Sequence, residues 1–101
     1  MSIGQTIELE ASKVWFYSRN DEAAFFEWLK KIPCVRKVEG SGASIYIAVE
    51  IENVSDKDLR ELLAIFHRYA ISMKQLVVFD CDKFASWFRD KRAYWYASVF
   101  E

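Results

Sequence analysis

The sequence predicts an α+β domain of ferredoxin-like type: elements in the order β-α-β-β-α-β, helices on one face of an antiparallel sheet, then a C-terminal helix and an aromatic tail. Three observations predict it. Runs with period-two alternation interleave with two stripes at helical spacing. Each candidate strand is short and bounded by turn residues. Both helical stripes are one-sided, so both helices pack against the same sheet. At 101 residues the chain holds one core, and residues 1–101 are read as a single domain.

Residues 6 to 17 read as the first strand. Ile7, Leu9, Ala11, Trp15 and Tyr17 share one parity, Thr6, Glu8, Glu10 and Ser12 the other, and Lys13–Val14 breaks the alternation with a bulge or a split into two short strands. The first helix is expected after Asn20 as N-cap, with Asp21 and Glu22 complementing the helix dipole. Phe25, Trp28, Leu29 and Ile32 form its apolar stripe, and Pro33 stops it. Residues 35–39 and 43–51 flank Gly40-Ser41-Gly42, which predicts a hairpin. The second helix has the clearest start: Ser55 as N-cap, Asp58 in a capping-box position, Val54 able to staple onto Leu59. Leu59, Leu62, Leu63, Phe66 and Tyr69 make its buried stripe. Residues 75–79 read as a fourth strand, because Leu76 to Phe79 is continuously apolar like a strand covered on both faces. A third helix is expected from Asp80 or Asp82, with Phe84, Trp87 and Phe88 inward.

Composition narrows the function classes. With 52% apolar and 29% charged residues and only 3 Gly and 1 Pro, the chain is not of the disordered type. A net charge of -1 provides no global basic field for nucleic acid. Residues 1–10 contain no secretory-signal pattern, and no apolar run is long enough for a membrane span. Cys34 and Cys81 are too few for a disulfide framework, so both are expected reduced, in a cytoplasmic protein.

No catalytic constellation is legible. His67 is the only histidine and falls in the last turns of the second helix, where a helix-end role explains it. A Cys-His nucleophile would need Cys34 or Cys81 to meet it in space. One histidine and two separated cysteines do not make a four-ligand zinc site, and no P-loop, dinucleotide fingerprint or nucleophile elbow is present. The expectation is therefore a binding protein with no cofactor and no metal.

Two features carry the binding expectation. Glu50, Glu52, Asp56, Asp58 and Glu61 face only Lys57 and Arg60 in the same stretch, and Asp80 and Asp82 add a second acidic cluster. These acids either complement helix dipoles or meet a basic partner; Glu50 and Glu52 precede the cap, where the dipole does not account for them. Tyr94, Trp95, Tyr96, Val99 and Phe100 crowd the last segment, either packing on their own domain or serving as interface anchors. The RNA-recognition fold shares the strand order, but residues 43–50, ASIYIAVE, carry one aromatic and end in a carboxylate where two stacking aromatics and a basic-Gly motif are required. Trp15, Tyr17 and Tyr46 keep RNA stacking as a minor option only.

The segments from Val14-Trp15-Phe16-Tyr17-Ser18 to Ile32-Pro33-Cys34, and Ala93 through Phe100, give the chain a resemblance to immunity proteins of bacterial contact-dependent growth inhibition and related polymorphic toxin systems. That resemblance implies tight, non-enzymatic binding of a cognate toxin C-terminal domain, often a nuclease with a basic cleft. Glu50, Glu52, Asp56, Asp58, Asp80, Asp82, Tyr94, Trp95 and Tyr96 are the candidate partner-binding residues, with no direct nucleic acid or membrane contact and a monomer or weak dimer when free. The alternative is a ferredoxin-like regulatory or ligand-binding module that dimerises.

Overall fold

The computed structural model describes residues 5–101; Met1 to Gly4, part of the segment read for a leader, lie outside them. Strand β1 (Thr6–Ser12) leads into helix α1 (Arg19–Lys31), then β2 (Val35–Ser41) and β3 (Ser44–Glu50). A 3-10 turn (Ile51–Asn53) precedes α2 (Asp56–Arg68), and a second 3-10 segment (Met73–Phe79) precedes two short helices, α3 (Ala85–Phe88) and α4 (Tyr96–Phe100). No helix among the described residues is long and apolar enough to cross a membrane.

The sheet has three antiparallel strands in the order β1-β3-β2. Its rows follow the predicted parity: Leu9 opposes Ile47 and Ile7 opposes Val49 on one face, while Glu10 opposes Tyr46 and Glu8 opposes Ala48 on the other. The first face is buried, with Leu9, Ala11, Ile47 and Val49 at most 2% exposed. Phe25 and Leu29 of α1, Ile32 at its C-cap, and Leu59, Leu62, Leu63 and Phe66 of α2 are all buried in the same core as this face. Ile65 is buried as well, because α2 also packs against the Met73–Phe79 segment. The hairpin turns at Gly42-Ala43, one residue later than Gly40-Ser41-Gly42 suggests, with Gly42 at φ +62° as a two-residue turn demands.

Four expectations are corrected. The fourth strand is not formed: Met73, Leu76 and Phe79 are buried while Val77 and Val78 are about half exposed. Burial every third residue is the signature of a 3-10 turn, whereas a strand would bury alternate residues. The outer edge of β1 is met instead by a side chain. Gln75 Oε1 accepts from the Glu10 backbone N–H at 2.8 Å, and Gln75 Nε2 donates to the Glu10 carbonyl at 2.8 Å, supplying the two bonds a neighbouring strand would make there.

The second correction concerns β1, which ends at Ser12. Lys13 has φ +56°, and the parity then inverts: Phe16 turns inward against Phe25, Phe26 and Tyr69, while Trp15 and Tyr17 are 72% and 86% exposed. These two aromatics therefore leave the sheet, and the stacking platform they would have made with Tyr46 does not form on it. Third, α1 is capped by Ser18, whose Oγ accepts from the Asp21 N–H at 3.1 Å; Asn20 lies inside the first turn. Fourth, α3 begins at Ala85 with no side-chain cap, because Asp80 accepts from Arg89 Nε at 2.6 Å instead of capping a helix.

Candidate functional site

The two acidic segments, far apart in sequence, converge at the N-terminal end of α2. Lys83 Nζ donates to the Val54 carbonyl at 2.7 Å, and Trp87 Nε1 donates to Asp56 Oδ1 at 3.2 Å, so residues 50–58 and 80–87 form one corner. Most of its charge is engaged inside the molecule. Glu50 accepts from Arg36 Nε at 2.5 Å and from Asn53 at 2.6 Å. Asp58 is only 3% exposed and completes the capping box with Ser55, so its carboxylate serves the helix and offers no surface to a partner. Asp80 is held by Arg89, whose guanidinium pKa is raised chiefly by that hydrogen bond. Glu52, Asp56 and Asp82 are exposed and form no ion pair among the described residues.

The tail splits between the two roles expected of it. Trp95 is buried at 8% exposure, packs edge-on against Trp87, and donates its indole N–H to the Phe88 carbonyl at 2.8 Å. It is core, as is Val99. Tyr96 is half-buried against Phe100. Tyr94 is the outward member, 52% exposed, with its ring against His67 at 4.9 Å. Burial of its hydroxyl, and then the nearby Glu61 carboxylate, push the Tyr94 pKa up.

The cysteine-histidine pairing needed for nucleophilic chemistry is not assembled. Cys34 lies buried beside Asp58 at the start of α2, where burial first and that carboxylate second push its thiol up to about 12. His67 lies at the other end of the same helix, a rise of about 14 Å away at 1.5 Å per residue. Cys81 is exposed and belongs to the corner at the helix start, two residues before the Lys83 that binds Val54. Among the described residues no three His, Cys, Asp or Glu side chains are gathered as a metal site would need.

At the C-terminal end of α2 lies a groove of about 350 Å³ lined by Lys13, Trp15, Tyr17, Asp21, Arg68, Tyr69 and Ala70. Trp15 and Tyr17 stand edge to face, ring centroids 6.4 Å apart. Asp21 is engaged at both oxygens: Oδ2 accepts from the Tyr17 N–H and Oδ1 from the Tyr69 hydroxyl, each at 3.0 Å. The Tyr69 pKa is raised, by burial first and by Asp21 second. Lys13 and Arg68 form no ion pair among the described residues. Sequence reasoning missed this groove because it assigned Trp15 and Tyr17 to the buried parity of β1. The available signal was the break at Lys13–Val14.

Compared with known proteins, the chain matches no family model, no curated protein and no solved structure.

Proposed function

We propose that the protein is a non-enzymatic immunity protein that binds the C-terminal domain of a cognate bacterial toxin in the cytoplasm and blocks it by protein–protein contact. The observation that carries this reading is the convergence of residues 50–58 and 80–87 into one corner, with Glu52 and Asp82 exposed and outside any ion pair among the described residues and Asp56 exposed beside the Trp87 indole that donates to it. A basic catalytic cleft, as nucleases carry, is the electrostatic complement of such a corner, and long-range attraction of that kind accelerates capture. Glu50 and Asp80 shape the corner through Arg36 and Arg89, while Tyr94, whose ring packs on His67 toward the far end of α2, and the half-buried Tyr96 are apolar contacts away from the corner itself. For the fold, a ferredoxin-like arrangement is supported by the order β1-β3-β2 with Gln75 standing at the fourth strand's place.

The test is co-purification of the tagged protein with the product of the gene immediately upstream, together with rescue of growth when that product's C-terminal domain is expressed. A stable complex with rescue is expected, and Glu52→Lys with Asp82→Lys should weaken it by about tenfold or more without lowering the melting temperature. Absence of complex and rescue overturns the reading. The second reading, a dimerising regulatory module, is favoured by the backbone edge of β1 at Thr6–Glu8, which has no partner among the described residues. The other edge is blunted by the bulge at Arg36 and by Lys37. Sedimentation showing a concentration-dependent dimer would promote it.

A further inference from the structure

We propose that the groove between Lys13–Tyr17 and the end of α2 is a second docking site, one that takes a carboxylate-bearing segment of a protein partner anchored by an apolar side chain. Charge complementarity carries the first half. The groove's one carboxylate, Asp21, has both oxygens engaged by Tyr17 and Tyr69, whereas its two cations, Lys13 and Arg68, have no carboxylate partner among the described residues. The neutral donors on Asp21 leave its charge in place, so the groove holds two cations against one carboxylate, and an incoming carboxylate meets that excess of positive charge. Chemical type carries the second half. Trp, Tyr and Arg are the residues that dominate protein-binding hot spots, and Trp15, Tyr17 and Arg68 occupy one concavity. Elsewhere the fold buries or half-buries its tryptophans; Trp15 alone is left 72% exposed.

The geometry separates this occupant from others. A small-molecule site encloses most of its ligand, but rings 72% and 86% exposed wall off very little. Single-stranded nucleic acid asks for a continuous basic track along its backbone, and two cations within a chain of net charge -1 do not make one. A short acidic segment needs only what is present: two cations about one aromatic pair. The backbone holds these groups in place from both sides. Lys13 and Ala70, the two non-glycine residues with positive φ among those described, both line the groove, at +56° and +57°.

The inference extends the reading of the chain as a protein-binding module but does not depend on the toxin, so its test is independent of co-purification. A random dodecapeptide display library is selected on the immobilised full-length protein. Recovered peptides should be enriched in Asp and Glu around an aromatic or aliphatic residue. Their affinity should fall about 30-fold for Trp15→Ala and about tenfold for Arg68→Glu, with both variants melting like the parent. Lys13→Glu serves as the second charge variant. Peptides lacking acidic enrichment, or acidic peptides held equally by these variants, overturn the proposal. Trp15 quenching by oligothymidylate that displaces the peptides overturns it in favour of nucleic acid, and self-association abolished by Trp15→Ala does so in favour of a second copy. Failure of toxin co-purification with success here would discard the immunity reading and keep the groove.

Discussion

The acidic corner and the aromatic groove lie at opposite ends of one helix and treat their polar groups in opposite ways. At the start of α2 the sequence is dense in carboxylates, yet Asp58 caps the helix, Glu50 holds Arg36 and Asn53, Asp80 holds Arg89, and Asp56 accepts from Trp87. At its end charges are few, and Lys13 and Arg68 form no ion pair among the described residues. Charge density along a sequence thus overstates a field when the fold supplies internal partners, and a sparse region offers more to a ligand when it does not. The aromatics divide the same way: Trp95, near the corner, is structural, while Trp15 at the groove is left in water.

The largest effect that sharpens this contrast is in the tryptophans. Trp95→Ala removes a buried ring and leaves the Phe88 carbonyl without its donor, which should cost about 3–5 kcal/mol in denaturant unfolding. Trp15→Ala should stay within about 0.5 kcal/mol, as surface changes do. Comparable losses at both positions would mean that Trp15 packs in solution and that the groove is not open. Next comes the start of α2. Asp58→Ala removes a buried carboxylate that accepts from the Ser55 backbone N–H in the capping box and should cost about 2 kcal/mol. A neutral result would return Asp58 to the surface and to the candidate interface.

Much of this division was legible in the residues. The stripe of α1 and the inward parity of β1 and β3 stand as the periodicity indicates, because each rests on many side chains that agree, and the capping box of α2 stands on the Ser55–Asp58 spacing alone. The misreadings share a cause: a short apolar run does not say which residues are buried. Leu76–Phe79 looks like a covered strand, but the spacing of Met73, Leu76 and Phe79, one turn of 3-10 helix apart, was the better guide. No local pattern announces that the Gln75 side chain will occupy the edge of β1, since that depends on where Glu10 lies 65 residues away. The groove was hidden for a similar reason, because one backbone angle at Lys13 decides the faces of Trp15, Phe16 and Tyr17.

A smaller effect tests the far end of α2. The helix closes in a Schellman motif, with the Ile71 N–H on the Phe66 carbonyl at 2.9 Å and the Ala70 N–H on the His67 carbonyl at 3.3 Å. That motif puts Ala70 at φ +57°, a conformation glycine adopts at less cost. Ala70→Gly should therefore raise stability by about 1 kcal/mol, a gain of a few degrees in melting temperature. If it destabilises instead, the alanine methyl is part of the groove's packing and the cap is not strained.

The smallest effect at neutral pH belongs to the thiols of the corner. Cys34 is buried and its thiol is pushed up to about 12 from an ordinary 9.0, by burial before the neighbouring Asp58. The folded chain therefore holds this proton more tightly than the unfolded chain does. Its contribution to stability is complete below about pH 9 and is lost as pH rises through about 12, since in that window the unfolded state has already released the proton. At pH 7.5 a maleimide should label the exposed Cys81 within minutes and reach Cys34 only through global unfolding. Adding sub-denaturing urea should accelerate the second labelling in proportion to the unfolded population, and equal labelling rates in the native protein would show that the corner opens locally, placing Asp58 within reach of a partner after all.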